Sequence, residues 1–137
     1  MGVEIQFPLE LVVEAVPLSQ GASADSLGAW RDQLRLAATS ALPEGHWTTE
    51  EPVAITVYCF PGGRMRSDLD NILKPIIDAF SKLIYVDDRQ VERIVAQKFE
   101  PERPVTFDNP SERLAEVMER NRPVLYIRLD NDLSRGG

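Results

Sequence analysis

The amino-acid sequence predicts a single small α+β domain, with one mixed sheet of about four strands and two main helices. Apolar runs of strand length occur four times along the chain, and stretches with helical periodicity separate them. The resulting order is strand, helix, strand, helix, strand, short helix, strand, which lacks the regular repeat of a doubly wound sheet. A length of 137 residues is that of one ordinary domain, so we expect residues 1–137 to fold as one unit.

In the first half of the chain, two strands flank one helix. Segment 3–16 carries apolar residues at every second position, which is typical of a strand, and Pro8 predicts an interruption or a bulge. A loop of small and polar residues comes next, and residues 26–42 then follow a helical pattern. Val53–Phe60 is a continuous apolar run that predicts a buried strand, and a Pro-Gly-Gly turn ends it.

The second helix is predicted over residues 71–83, where Ile72, Ile76 and Phe80 form an apolar stripe. Proline is tolerated in the first turn of a helix, because no backbone donor is needed there. Pro75 therefore predicts that this helix begins only one turn before it.

The last third of the chain is predicted to contain strands at 91–99 and 124–129. A loop and a short helix at 111–120 connect them. Residues 131–137 follow the last strand, and we expect them to form a disordered tail, because free chain ends commonly fray.

Composition excludes several classes of protein. One cysteine and one histidine exclude an intrachain disulfide, a cysteine-based zinc site and a His-rich metal centre. No apolar run approaches the roughly 20 residues that span a bilayer, and the N-terminus does not resemble a signal peptide. No P-loop and no dinucleotide-binding glycine motif occurs. We expect a cytoplasmic protein with no membrane partner and no organic cofactor.

The charge of the chain is acidic but unevenly placed. A net charge of -7 by itself disfavours a nucleic-acid partner, because basic groups drive the binding of phosphates. Residues 61–98, however, carry seven basic side chains against six acidic ones. The acidic excess therefore lies outside the middle of the chain, and net charge alone does not identify a site.

The predicted second helix carries acidic residues at its start. Asp68 and Asp70 lie where the helix dipole favours negative charge. Asp70, Lys74 and Asp78 follow one another at intervals of four residues, so they line one side of the helix, roughly opposite its apolar stripe.

A second acidic pair, Asp87 and Asp88, follows this helix and precedes the next strand. Three or four carboxylates from two neighbouring elements suit a hard divalent cation such as Mg²⁺, which prefers oxygen ligands and keeps several waters. The residues alone thus predict a carboxylate cluster that could hold a metal ion.

Each of these residues also has an ordinary structural explanation. Asp68 could cap the helix, and Lys74 could be a solvated ion-pair partner of Asp70 or Asp78. The second acidic pair could form a simple turn before Arg89. The pattern alone leaves these explanations open.

Taken together, the motifs resemble the signature of RusA-type Holliday junction resolvases, the crossover junction endodeoxyribonucleases. The residues that carry the resemblance are Asp68-Leu69-Asp70-Asn71, Lys74, Asp78 and Asp87-Asp88-x-Gln90-Val91. The resemblance implies a RusA-like α+β subunit, a homodimer, and Mg²⁺-dependent cleavage of four-way DNA junctions in recombination and repair.

The resemblance also implies roles for individual residues. Asp68, Asp70 and Asp88 match the family's essential acidic residues, which would bind Mg²⁺ or, in its place, Mn²⁺, and Lys74 matches its catalytic lysine. Asn71 and Asp87 would support the metal ligands. The expected contacts with DNA phosphates come from basic residues beside the carboxylates, namely Arg64, Arg66, Lys74 and Arg89.

Two alternatives remain open at this point. One is a RusA-like DNA-binding or assembly module with little cleavage activity, and the other is a nuclease for other branched DNA, such as flaps or forks. The first is motivated by the acidic chain and by the loop at residues 17–24, which has no basic residue.

Overall fold

The structure is a computed structural model, and it describes residues 2–134. It confirms the predicted α+β fold and the predicted order of strands and helices. The strands are β1 (Leu9–Val13), β2 (Val53–Phe60), β3 (Val91–Lys98) and β4 (Val124–Asp130). The helices are α1 (Ala24–Ala41), α2 (Leu69–Phe80), α3 (Glu112–Glu119) and a 3₁₀-helix (Asp88–Gln90).

The four strands form one mixed sheet in the order β1-β4-β2-β3. β4 pairs antiparallel with both β1 and β2, whereas β2 and β3 are parallel. The connection between parallel strands has to cross from one end of the sheet to the other, and α2 supplies this crossover. The first acidic pair, Asp68 and Asp70, therefore follows the carboxyl end of β2, and the second acidic pair precedes the amino end of β3.

The main core lies between one face of the sheet and helices α1 and α2. Inward-facing residues of the strands, such as Ile55 and Ile127, are completely buried, as are Ile72 and Ile76 of α2. Cys59 belongs to this core, as its place in an apolar strand predicts. Because α2 is anchored along its whole apolar stripe, its opposite face has a fixed orientation toward solvent.

A second, smaller core covers one end of the opposite face of the sheet. There Leu114 and Val117 of α3 pack on Phe60, Phe99 and neighbouring residues of the sheet. Aromatic rings stack or meet edge-on within this cluster, for example Phe60 with Phe99 at 5.1 Å between ring centroids. This packing fixes the loop that leaves β3.

Several predicted boundaries are wrong by a few residues, and the first strand is much shorter than predicted. β1 begins only after Pro8, which has no N–H to donate to a neighbouring strand, although the alternating pattern starts at residue 3. Residues 14–16 turn away from the sheet, where the N–H of Ala15 donates to the carbonyl of Val13. Helix α1 starts earlier than predicted because Ser23 accepts a hydrogen bond from the N–H of Ser26.

The prediction that Pro75 lies one turn into the second helix is also wrong. α2 begins at Leu69, so Pro75 lies in its second turn, where it removes the donor that would bond to the carbonyl of Asn71. That carbonyl instead accepts a hydrogen bond of 2.8 Å from the N–H of Gln20. The helix ends at Phe80 rather than at residue 83, because Ser81 is extended with ψ of 133° and Lys82 after it is left-handed with φ of 66°.

No helix within residues 2–134 is long and apolar enough to span a lipid bilayer. Of the predicted tail, residues 135–137 lie outside the described part of the chain. Asn131 bonds to the carboxylate of Glu51, and Asp132 accepts hydrogen bonds from Ser134.

Candidate functional site

Asp68 occupies the N-cap position of α2 but does not cap the helix with its side chain. Caps elsewhere behave differently, since Ser23 and Ser111 each accept a hydrogen bond from a backbone N–H of their helix. Asp70 lies in the first turn of α2 and is exposed. Within residues 2–134, neither aspartate forms an ion pair or a hydrogen bond through its carboxylate, so both are available to a ligand.

The solvent face of α2 carries the charged residues that the helical spacing predicts. Asp70, Lys74 and Asp78 are exposed on this face, opposite the buried stripe. The Nζ of Lys74 lies 3.3 Å from an Oδ of Asp78. This is one of the two solvated ion pairs that the sequence offered as an ordinary structural explanation for Lys74. Both side chains are about half exposed or more, so the pair is weak and can exchange for another anion.

Asn71 is held in place by the loop that precedes α1. The side chain of Gln20 donates to the Oδ1 of Asn71 at 2.9 Å, next to the backbone bond that satisfies the carbonyl of Asn71. Two hydrogen bonds thus dock this loop on the first turns of α2. The sequence predicts a supporting role for Asn71 but gives no signal for Gln20, which is fifty-one positions away.

The second acidic pair lies on a rigid turn. Asp87 caps the 3₁₀-helix by accepting a hydrogen bond of 2.9 Å from the N–H of Arg89. The side chain of Gln90 accepts from the N–H groups of Val86 and Asp87, at 2.9 and 3.0 Å. Asp87 and Gln90 therefore form a reciprocal capping box that fixes the position of Asp88 between them.

The same glutamine ties this turn to the segment before β2. The Nε2 of Gln90 donates to the carbonyls of Thr49 at 2.9 Å and Glu51 at 3.0 Å. All four hydrogen-bonding positions of the amide are thus used. The carbonyl of Ile84 accepts from the N–H of Thr49 alongside, so the two segments are joined at several points.

The two carboxyl groups of this turn influence each other's protonation. The bond from the N–H of Arg89 lowers the pKa of Asp87, and a hydrogen bond with Asp88 lowers it further. The hydrogen bond with Asp87 raises the pKa of Asp88, and the charges of Asp87 and Asp78 add to that increase. Asp88 is thus the carboxyl of this pair that holds a proton more readily.

A buried tyrosine joins the turn to the helix. The hydroxyl of Tyr85 donates to the carbonyl of Ile77 in α2. Burial raises the pKa of Tyr85, and the nearby charges of Asp78 and Asp88 raise it further. The charges of Asp78 and Asp88 thus both act on Tyr85, whose hydroxyl contacts α2.

The predicted metal ligands come from two elements. Asp68 and Asp70 lie at the start of α2, whereas Asp88 lies in the 3₁₀-helix. Within the described residues, no group of three or more Asp, Glu, His or Cys side chains is close enough to hold one metal ion.

The predicted DNA contacts differ in their surroundings. Arg64 and Arg66 are exposed, and within residues 2–134 neither makes an ion pair or a hydrogen bond through its side chain. Lys74 is paired with Asp78, and Arg89 lies 3.4 Å from an oxygen of Asp87.

Other basic residues enter this region from distant positions in the chain. Lys98 at the end of β3 and Arg103 in the following loop line the same cleft as Asp68. Lys98 counts among the basic residues of segment 61–98, but nothing in its spacing links it to the acidic motif.

The chain matches a known protein family. A family model described as endodeoxyribonuclease RusA matches residues 20–107, which is more than half of the chain. No curated protein matches the chain. The matched segment contains both acidic pairs, so the resemblance predicted from these motifs is confirmed.

Proposed function

The chain belongs to the RusA family of endodeoxyribonucleases, and on that basis we propose that it hydrolyses phosphodiester bonds at four-way DNA junctions. The proposed enzyme is a cytoplasmic homodimer that depends on Mg²⁺, with Mn²⁺ as a substitute, and that acts in recombination and repair. Asp68, Asp70, Lys74 and Asp88 are its proposed catalytic residues.

The observation that carries the proposal is the state of Asp68 and Asp70. An aspartate at an N-cap normally accepts a hydrogen bond from the helix, and this bond contributes about 1 kcal/mol to stability. Asp68 has the position but not the bond. A carboxylate that gives up this stabilisation while remaining exposed is free to bind a cation, and Asp70 beside it is equally unpaired within the described residues.

The donor groups suit a hard divalent ion in their chemistry. Asp68, Asp70 and Asp88 offer exposed carboxylate oxygens, and Mg²⁺ commonly binds one or two carboxylates together with water and substrate phosphate. Asp88 lies on a different element from the other two, and water and substrate phosphate would complete the coordination. When bound, Mg²⁺ would polarise the phosphate and lower the pKa of a water molecule.

The remaining residues of the site would position the metal ligands and neutralise charge on the phosphate. Lys74, one helical turn from Asp70, would exchange its weak bond to Asp78 for an oxygen of the scissile phosphate. Asn71, fixed by Gln20, and Asp87, fixed by the 3₁₀-helix, would hold the neighbouring ligands in place. The proposed nucleophile is a water molecule, so no covalent enzyme intermediate would form.

The test measures cleavage of labelled four-way junctions, forks and linear duplexes, with Mg²⁺ and with EDTA. We expect cleavage of the junction in Mg²⁺ alone and its loss in Asp70→Asn and Asp88→Asn. Asp25→Asn is the matched control, because Asp25 occupies the first turn of α1 as Asp70 does that of α2. This control removes the same interaction with a helix dipole and should leave cleavage unchanged.

Each other result has a defined meaning. Full cleavage by Asp70→Asn would overturn the assignment of the site, and preferred cleavage of forks would assign the enzyme to other branched DNA. Binding of junctions without cleavage in any metal would favour the second candidate, a DNA-binding module. The observation that favours this second candidate is that, within the described residues, no three Asp, Glu, His or Cys side chains form a group that could hold a metal ion.

Dimerisation is proposed because a four-way junction has near-twofold symmetry and two strands to cut. An isologous dimer would place one site on each strand. Light scattering at micromolar protein, with and without junction DNA, should give the mass of two chains. A strict monomer in both conditions would contradict coordinated cleavage of the two strands.

A further inference from the structure

An open cleft of about 720 Å³ lies beside the start of α2. One wall is the segment before the helix, with Arg64, Arg66 and Asp68, and the other is the end of β3 and its loop, with Lys98 and Arg103. The walls are joined by a hydrogen bond of 2.9 Å, which the N–H of Met65 donates to the carboxylate of Glu100. The loop after β3 is therefore a fixed wall of the cleft.

The charge of this cleft is opposite to that of the whole protein. Four basic side chains line it against the two carboxylates of Asp68 and Glu100, whereas the chain as a whole carries a net charge of -7. One of those carboxylates, Glu100, is already engaged by the backbone of Met65. Such a local excess of positive charge attracts anions even when the net charge is negative.

Within residues 2–134, all four basic residues of the cleft are without an ion-pair or hydrogen-bond partner. Elsewhere, most arginines and lysines are engaged; for example, Arg120 pairs with Glu14 and Arg35 donates to the carbonyl of Ala79. Within residues 2–134, six basic side chains make no ion pair and no hydrogen bond. These six are Arg64, Arg66, Lys98 and Arg103 of the cleft, and Lys82 and Arg113 outside it.

Unpaired like charges that face one another repel, and a bound polyanion removes that cost. The four charges come from two walls, so they match a chain of several phosphates better than a single phosphate. Asp68 lies in the same cleft, so a ligand that fills it also reaches the proposed metal ligands. We propose that this cleft binds the sugar–phosphate backbone of the DNA strand next to the scissile phosphate, and that Lys98 and Arg103 are phosphate contacts.

This inference rests on the proposed function and extends it to residues outside the acidic motif. Its test measures the affinity for labelled junction DNA at several salt concentrations, in Ca²⁺ and in EDTA, by fluorescence anisotropy. The cleft variant is Lys98→Gln with Arg103→Gln. The matched control is Lys82→Gln with Arg113→Gln, which removes the same charge from the two unpaired positions outside the cleft.

We expect the cleft variant to bind roughly tenfold more weakly than the control, and its salt dependence to fall by about 1.8 in the slope of log affinity. Arg103→Gln alone lies in an exposed loop and should give about half of this change, which guards against a folding defect at β3. Arg103→Lys keeps the charge and should retain the slope of the wild type.

Equal affinity and equal salt dependence in the cleft variant and the control would overturn the proposal that the cleft binds DNA. If the wild type still cleaved junctions in that case, the proposed function would remain intact. If the wild type neither binds nor cleaves any branched DNA, both proposals are wrong. A cleft variant that binds normally but cleaves slowly would also overturn the proposed phosphate contacts.

Discussion

Replacement of Gln90 by leucine should both destabilise the fold and weaken the response to Mg²⁺. The amide of Gln90 makes four hydrogen bonds, two of them partly buried, and leucine can make none of them. A partly buried hydrogen bond contributes about 1 kcal/mol net and an exposed one less, so we expect a loss of about 2–3 kcal/mol in the free energy of unfolding. In a chain of 137 residues this corresponds to a decrease in Tm of roughly 8–12 °C.

The effect on metal binding follows from what Gln90 holds. The turn with Asp87 and Asp88 would lose its connection to Thr49 and Glu51, so the proposed ligand Asp88 would no longer be fixed. Loss of such support typically weakens metal binding by about 10- to 100-fold. The Mg²⁺ concentration for half-maximal cleavage should rise by a similar factor, whereas maximal cleavage at saturating Mg²⁺ should change less.

The assay combines thermal unfolding with a titration of cleavage against Mg²⁺. Gln90→Glu keeps the acceptor for two N–H groups but sets a carboxylate oxygen against the carbonyls of Thr49 and Glu51, so its Tm should also fall below that of the wild type. Gln33→Leu is the control, because Gln33 is exposed on α1 and its side chain makes no hydrogen bond within residues 2–134. A Tm of Gln90→Leu equal to that of the control would refute this reasoning, and an unchanged Mg²⁺ requirement would limit Gln90 to a role in folding.

Three further predictions concern the surroundings of the site. Gln20→Ala should lower the free energy of unfolding by less than about 1 kcal/mol. It should also speed proteolysis of the loop before α1, because only the backbone bond to Asn71 remains. Unchanged proteolysis would contradict this. Tyr85→Phe should lower the stability in urea by about 1–2 kcal/mol, because the buried carbonyl of Ile77 loses its donor; no change would show that water replaces the hydroxyl. Burial raises the pKa of the Cys59 thiol from 9.0 to about 12. The contribution of the protonated thiol to the free energy of unfolding is therefore complete below pH 9.0 and is lost as the pH rises through 12. The thiol should therefore resist thiol reagents in the native protein at mildly alkaline pH, and Cys59→Ala should flatten the alkaline loss of stability; rapid native labelling would contradict this.

Much of the fold could be predicted from periodicity, because the pattern of apolar residues that form the core determines where helices and strands lie. The stripe with Ile72 and Ile76 requires a helix, and Val53–Phe60 is too continuously apolar for any exposed element. The errors arise where a residue far away in the sequence supplies a hydrogen-bond partner. Pro75 is tolerated in the second turn of α2 because Gln20 takes the free carbonyl, and no local pattern reports a partner from another element.

The candidate site was predictable as far as its residue types and their order along the chain. The spacing of Asp70 and Lys74 gave their common helix face, and the second acidic pair gave a turn. Sequence cannot say which ordinary explanation holds for which residue. The structure separates them, because Asp87 caps its 3₁₀-helix whereas Asp68 leaves its own helix uncapped.

Under the proposed function, the arrangement of charges at the start of α2 would allow an acidic protein to act on an acidic polymer. Asp68 shares a cleft with Arg64 and Arg66, yet within residues 2–134 it pairs with neither of them. If these groups neutralised one another, the carboxylate would lose affinity for a cation and the arginines would lose affinity for phosphate. Because they stay apart, the proposed cleft could accept both a divalent cation and a DNA strand, and each of these ligands would lower the cost of binding the other. The net charge of -7 would then disfavour DNA on the rest of the surface and favour binding at this cleft.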